Sequence, residues 1–239
     1  MQKVFTFIIV ITIFIVNLQA KQINESVILL HGLGDVKLSM LKLEIALKEE
    51  GYTTKNIGYS SNGETIESLA EKELSEIVER YKKIGFDKIH FVTHSMGGLI
   101  VRCYLQDHEL PEGSRIVMLS PPNKGSEVAD HFKESKFYNL IVGDVGQELA
   151  TDSNILSELK QIIPEIGIIA GDKSTNPYFS KIIPGEDDGR VAVDNTKLIE
   201  MKDFMIVHST HLTIKYNDEV IRQTVFFLQN GKFYKNIKE

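Results

Sequence analysis

Short β-prone runs, most of them apolar, recur along the chain at residues 26–31, 87–92, 115–119, 166–170 and 201–207, and the more polar stretch 52–59 is a further strand candidate. Most lack polar–apolar alternation, which predicts strands buried on both faces, as in a parallel sheet. Helical periodicity fills the gaps. Residues 38–50 place Met40, Leu41, Leu43, Ile45, Ala46 and Leu47 on an apolar side, with Gly51 just past the end. The clearest helix carries Ile66, Leu69, Ala70, Leu74, Ile77, Val78 and Tyr81 every three or four residues and closes at Gly85. A third carries the run Leu99 to Leu105 and extends to about Asp107, and a last lies over 218–228 before Asn230-Gly231. Between 125 and 163 the pattern is irregular, with helical pieces at 127–132 and 155–162; 176–189 reads as a loop with Pro177 and Pro184.

Strand and helix alternating through short loops predict an α/β fold, a mainly parallel central sheet with helices on both faces. In such sheets the ligand site lies beyond the carboxyl ends of the strands. The residues just past each strand are His31 to Gly34, Ser95-Met96, Ser120 to Asn123, Asp172, Asp187-Asp188 and His208 to His211.

The first twenty residues differ from the rest. Met1-Gln2-Lys3 gives a short positive start, 4–16 is apolar apart from Thr6 and Thr12, and Gln19-Ala20 offers a cleavage point. The run is short for a bilayer span of about 20 residues. It predicts a signal peptide at 1–20 and a secreted or periplasmic domain at 21–239, with an uncleaved N-terminal anchor as the alternative. The net charge of -6 argues against nucleic acid as a partner. The single cysteine, Cys103, allows no intramolecular disulfide and reads as a small buried hydrophobe. No His, Cys, Asp or Glu grouping has convincing metal-ligand spacing, so no metal and no cofactor is expected.

The chemistry concentrates at Phe91-Val92-Thr93-His94-Ser95-Met96-Gly97-Gly98. A strand enters, a helix leaves, and a serine stands at the turn, where its hydroxyl is pushed into the open. A serine needs a base, and the base needs an orienting carboxylate. Of the seven histidines, His211 lies in the loop between the last strand and the last helix and is the first choice; His208 is the second. Asp172, directly after a strand, and the loop Glu186-Asp187-Asp188-Gly189 are equal candidates for the acid by spacing. The Met96 N–H and the Leu33 N–H, in the turn His31-Gly32-Leu33-Gly34, are placed to form an oxyanion hole. The same turn lacks the lysine and the longer spacing of a phosphate-binding loop.

The order serine, aspartate, histidine, with this elbow and the early His-Gly turn, resembles the α/β-hydrolase superfamily, in its bacterial lipase and esterase branch. Ser-Pro-Pro-Asn-Lys-Gly-Ser after Leu119, Asp-Asp-Gly-Arg-Val, and a Thr-His pair before the last helix belong to the same resemblance. It implies a Ser95–Asp188–His211 triad, choosing Asp188 over Asp172, and a carboxylic ester substrate. That substrate would be a small molecule or a lipid, the latter with contact to a membrane surface. Residues 125–163 are then a cap-like insertion, whose Val128, Ala129, Phe132, Phe137, Tyr138, Leu140, Ile141 and Val142 could shape an acyl pocket. Thr93 departs from the pattern, which has glycine there, and needs room from Gly97 and Gly98. The same triad would also serve an acyltransferase, a thioesterase or an amidase, and a hydrolase-like fold can be a binding protein without turnover.

Overall fold

The computed structural model describes residues 23–61, 63–135, 143 and 145–234. The expected signal peptide, and Phe137, Tyr138, Leu140, Ile141 and Val142 of the cap, lie outside the described residues. Six strands, β1 (Glu25–Leu30), β2 (Thr53–Ile57), β3 (Lys88–His94), β4 (Arg115–Leu119), β5 (Glu165–Gly171) and β6 (Asp203–Val207), form one parallel sheet in the order β2-β1-β3-β4-β5-β6.

The inner strands β1, β3, β4 and β5 are mostly apolar because both faces are covered, whereas the edge strand β2 is Thr-Thr-Lys-Asn-Ile and buries only Ile57. One face of Ile28, Leu30, Phe91, Ile116, Met118 and Ile168 packs against α2 (Ile66–Ile84) and α3 (Gly97–Tyr104). The other, with Val27, Leu29, Val92, Val117 and Ile169, packs against α1 (Leu41–Glu49) and the last helix, Asp218–Asn230. All seven apolar positions predicted for α2 are buried. Its ends follow local rules: the Thr65 hydroxyl accepts from the Ser68 N–H, and Gly85 takes the left-handed cap at φ 88°.

Several expectations need correction, among them that 176–189 is only a loop, since Pro177–Ser180 is a short helix started by the Asn176 side chain accepting from the Tyr178 and Phe179 N–H groups. Residues 38–50 split into a 3-10 turn, Lys37–Met40, and α1; Met40, Leu43 and Leu47 are buried, but Leu41 and Ile45 are exposed. Positions 40, 43 and 47 share one helical face, and 41 and 45 turn away from it. Helix α3 stops at Tyr104 rather than near Asp107, because the next N–H groups of Gln106 and Asp107 bond three residues back instead of four. The piece expected at 155–162 is only Asn154–Glu158, since Leu159 already has extended backbone.

The connectivity fixes the place of the site. From β1 the chain moves outward to β2, then crosses back through α2 to β3 on the other side of β1. The strand order reverses there, so loops after β1 and β3 diverge and leave a crevice at their carboxyl ends. His31 to Gly34 and Ser95 lie on its two sides.

Candidate active site

Ser95 follows β3 directly, with a left-handed backbone at φ 53°. A non-glycine residue held there stores on the order of 1–3 kcal/mol. Its N–H donates to the Leu119 carbonyl at the end of β4, and its carbonyl accepts from the Gly98 N–H, both at 2.9 Å. Missing side chains make the turn possible. A Cβ on Gly32 would stand 2.9 Å from Ser95 Cβ, and one on Gly97 would meet the Leu30 and His31 carbonyls at 3.0 Å. Thr93 gains its room from Gly98, where a Cβ would lie 3.4 Å from Thr93 Oγ1; Gly97 instead makes space for the end of β1.

The loops after β5 and β6 bring in the remaining groups. They meet over Gly171, where a Cβ would stand 2.4 Å from the Ser209 carbonyl oxygen and 3.0 Å from Asp188 Cβ. His211 Nδ1 is 2.8 Å from Asp188 Oδ2, and His211 Nε2 is 3.0 Å from Ser95 Oγ. An ionised carboxylate only accepts, so Nδ1 carries the proton and Nε2 presents its lone pair to the serine hydroxyl. The His211 N–H also donates to the Asp188 carbonyl at 2.9 Å. All three residues are buried.

Asp188 is held ionised in spite of its position. Burial, the largest influence, would raise its pKa. The facing His211, the Ser120 hydroxyl and the Val191 N–H outweigh it, and the carboxyl lies below the usual aspartate value. Asp188 Oδ1 accepts from the N–H groups of Arg190 at 3.0 Å and Val191 at 2.9 Å.

Asp172 and His208, the second choices for acid and base, bond to each other at 2.9 Å, with the imidazole exposed. Among the described residues neither is hydrogen-bonded to Ser95 or His211. The structure therefore brings together Ser95, Asp188 and His211 and leaves this pair aside.

The turn after β1 is braced from below. The Tyr59 hydroxyl donates to the His31 carbonyl, and its ring stacks on the His31 imidazole at 4.2 Å. Among the described residues the N–H groups of Leu33 and Met96 have no acceptor, so both remain available beside Ser95. Leu33, Pro122, Val128, Ala129 and Leu149 form an apolar wall in a cavity of about 540 Å³ that reaches Ser95 and His211. Phe132, also expected in the cap pocket, packs edge-on to Phe179.

Sequence reasoning missed the support around the histidine. His94 Nε2–H donates to the His211 carbonyl at 2.8 Å, and the two rings lie 4.9 Å apart. Burial pushes the His94 pKa well down, and the nearby His211, Lys215 and Arg190 add to this, so His94 is neutral. Asp35 Oδ2 lies 4.0 Å from His94 Nδ1 and accepts from Lys215 Nζ at 2.7 Å. Lys42 Nζ donates to the Tyr216 carbonyl at 2.8 Å. These contacts clamp the segment carrying His211 onto the loop after β1. Its place after β4 marks Ser120 but gives it no role; no local signal marks Lys215, which is 180 residues from Asp35.

A family model described as alpha/beta hydrolase fold matches residues 25–140, a span that includes Leu33, Ser95 and Met96 and stops before Asp188 and His211. Among solved structures, the chain is similar to the mature form of the Bacillus licheniformis lipase BlEst2, with TM-score 0.70, 18% identity, and coverage of 85% of this chain and 91% of that one. It is also similar to the metagenomic carboxyl esterase MGS0156, with TM-score 0.64, 17% identity, and coverage of 80% and 65%. A third likeness is to phospholipase PlaB from Legionella pneumophila, with TM-score 0.59 and 18% identity, over 72% of this chain and 45% of that one. No curated protein matches the sequence.

Proposed function

The chain has the α/β-hydrolase fold and is esterase- and lipase-like in structure, and from that premise we propose that it is a serine hydrolase of carboxylic esters. The reading is carried by the unbroken hydrogen-bond line Asp188–His211–Ser95 at the switch point of the sheet. Likeness to a lipase, a carboxyl esterase and a phospholipase supports an ester as the substrate.

Ser95 Oγ attacks the ester carbonyl carbon while its proton passes to His211 Nε2. Asp188 keeps Nδ1 protonated and offsets the positive charge that forms on the ring. The carbonyl oxygen becomes an oxyanion facing the N–H groups of Leu33 and Met96; one such donor is worth roughly 3–4 kcal/mol. Collapse of the tetrahedral centre breaks the ester C–O bond, and His211 returns its proton to the departing alcohol. Water then repeats the sequence on the acyl-enzyme, giving the carboxylic acid and free Ser95. The apolar wall of Val128, Ala129 and Leu149 receives the acyl chain. The apolar run at 4–16 supports an exported enzyme, secreted or periplasmic.

Hydrolysis of p-nitrophenyl esters of graded chain length tests this. The wild type turns them over, and Ser95→Ala loses on the order of 10^6-fold in kcat. A wild type no faster than Ser95→Ala at every chain length would remove the proposal and leave a binding protein.

A further inference from the structure

The cavity at Ser95 is unevenly charged. Among the described residues its lining carries two basic side chains, Arg190 and Lys215, and one carboxylate, Asp35. Asp35 is committed to Lys215 through the 2.7 Å ion pair, and its pKa is lowered: burial, the largest influence, opposes this, but the bond and charge of Lys215, the Val36 N–H and the Ser39 hydroxyl together outweigh it. Arg190 has no such partner. Its side chain is exposed, and among the described residues no carboxylate pairs with its guanidinium. A positive charge is thus left over inside the cavity of a chain whose net charge is -6.

Its position is built. The Arg190 N–H donates to Asp188 Oδ1 at 3.0 Å, and its carbonyl accepts from the Ser126 hydroxyl at 2.7 Å. The backbone is therefore fixed between the acid of the triad and the start of α4 (Glu127–Phe132), and the side chain leaves from a fixed point on the cavity lining. A guanidinium presents a planar fork of donors that matches the two oxygens of a carboxylate or phosphate. The apolar wall of Val128, Ala129 and Leu149 lines the same cavity, so one ligand can meet both.

We propose that Arg190 is a specificity-determining residue that receives an oxyanion substituent, a carboxylate or a phosphate, on the substrate of Ser95. The inference rests on the ester-hydrolase reading and narrows it: the preferred ester carries a negative charge close enough to the scissile bond for Arg190 to reach it.

Matched ester pairs test this in two arms. In the leaving-group arm, butyrate esters of p-hydroxybenzoate and of methyl p-hydroxybenzoate differ in the charge on the alcohol, and comparing the same pair across the Arg190 variants cancels their difference in leaving-group acidity. In the acyl arm, p-nitrophenyl hydrogen adipate and p-nitrophenyl methyl adipate differ only in the charge on the acyl tip. The readout is the ratio of kcat/KM for the acid to that for its neutral partner, in wild type, Arg190→Gln and Arg190→Lys. In one arm the ratio falls about fivefold in Arg190→Gln, the upper end for an exposed ion pair. It is largely kept in Arg190→Lys, and the wild-type preference shrinks as salt is raised. The arm that responds tells which side of the ester carries the anion.

Ratios that do not change in either arm overturn the proposal. So does an equal loss on acid and neutral members, which would mean that Arg190 only supports the charge on Asp188. If the wild type hydrolyses no ester, calorimetric binding of p-(butyrylamino)benzoate against its methyl ester decides. An Arg190-dependent preference keeps the anion site and removes the ester reading; no preference removes both.

Discussion

Replacing Asp188 by Asn separates the charge of the acid from its shape. Asn Oδ1 can still accept from the N–H groups of Arg190 and Val191, which now bond Asp188 Oδ1 at 3.0 and 2.9 Å. The other oxygen becomes an NH2 group facing His211 Nδ1, now 2.8 Å from Oδ2. Two donors cannot face each other, so the imidazole moves its proton to Nε2. Nε2 then donates to Ser95 Oγ across the 3.0 Å contact instead of accepting from it. Ser95 loses its base, and the imidazolium loses its counter-charge. The wrong tautomer costs on the order of 10^4-fold in kcat in the serine protease triad. That is about 5 kcal/mol of transition-state stabilisation. The same loss is expected here in kcat for p-nitrophenyl butyrate, with KM little altered because the acyl wall is untouched. Asp172→Asn should stay within a few-fold of wild type, because Asp172 pairs with His208 instead. The reasoning is refuted if Asp188→Asn keeps more than a tenth of the wild-type kcat while folded, or if Asp172→Asn loses as much.

Two further outcomes follow from the groups around the triad. His94 is neutral when folded and has an ordinary imidazole value of 6.5 when unfolded, so below pH 6.5 the unfolded chain binds a proton that the native chain does not. Stability therefore falls with falling pH through that range, by up to about 1.4 kcal/mol per pH unit from this group. His94→Gln can still donate to the His211 carbonyl but does not titrate; urea midpoints at pH 7.5 and 5.5 should be closer together than in wild type, and an unchanged gap would contradict the assignment. Gly171→Ala forces a Cβ to within 2.4 Å of the Ser209 carbonyl and 3.0 Å of Asp188 Cβ, so the acid and histidine loops must part. Activity should drop by roughly 10^2-fold or more, while Gly185→Ala, which meets no atom within 4 Å, leaves it near wild type despite its positive φ.

Much of the sheet was legible because its cause is local to each strand. Both faces are covered, so runs such as Ile116 to Leu119 are apolar without alternation, and hydropathy alone marks them. Helix α2 was legible for the same reason, since its buried stripe repeats at the helical period. Helix α1 was not: Leu41 and Ile45 are apolar yet exposed, and their composition hides which face packs. The serine was legible from the strand–turn–helix pattern, and His211 from its place after the last strand. Spacing could not separate Asp188 from Asp172, because both follow β5. What separates them is the close approach over Gly171, a contact between loops distant in sequence. The clamp through His94, Asp35 and Lys215 was invisible for the same reason, because its members meet only once the sheet has formed. Arg190 stood in the Asp-Asp-Gly-Arg-Val stretch, but nothing in the sequence shows that it faces the same cavity as Ser95.

A trapped acyl group on Ser95 is the most direct evidence for the proposed chemistry. The wild type is mixed with p-nitrophenyl butyrate, quenched in acid during turnover, and digested for mass spectrometry. A butyryl group on the peptide containing Ser95, absent from Ser95→Ala and accumulating with a burst of p-nitrophenol, is the predicted result. Steady ester cleavage with no acyl adduct in rapid-quench samples, or an adduct on another residue with Ser95 unmodified, would contradict Ser95 as the nucleophile.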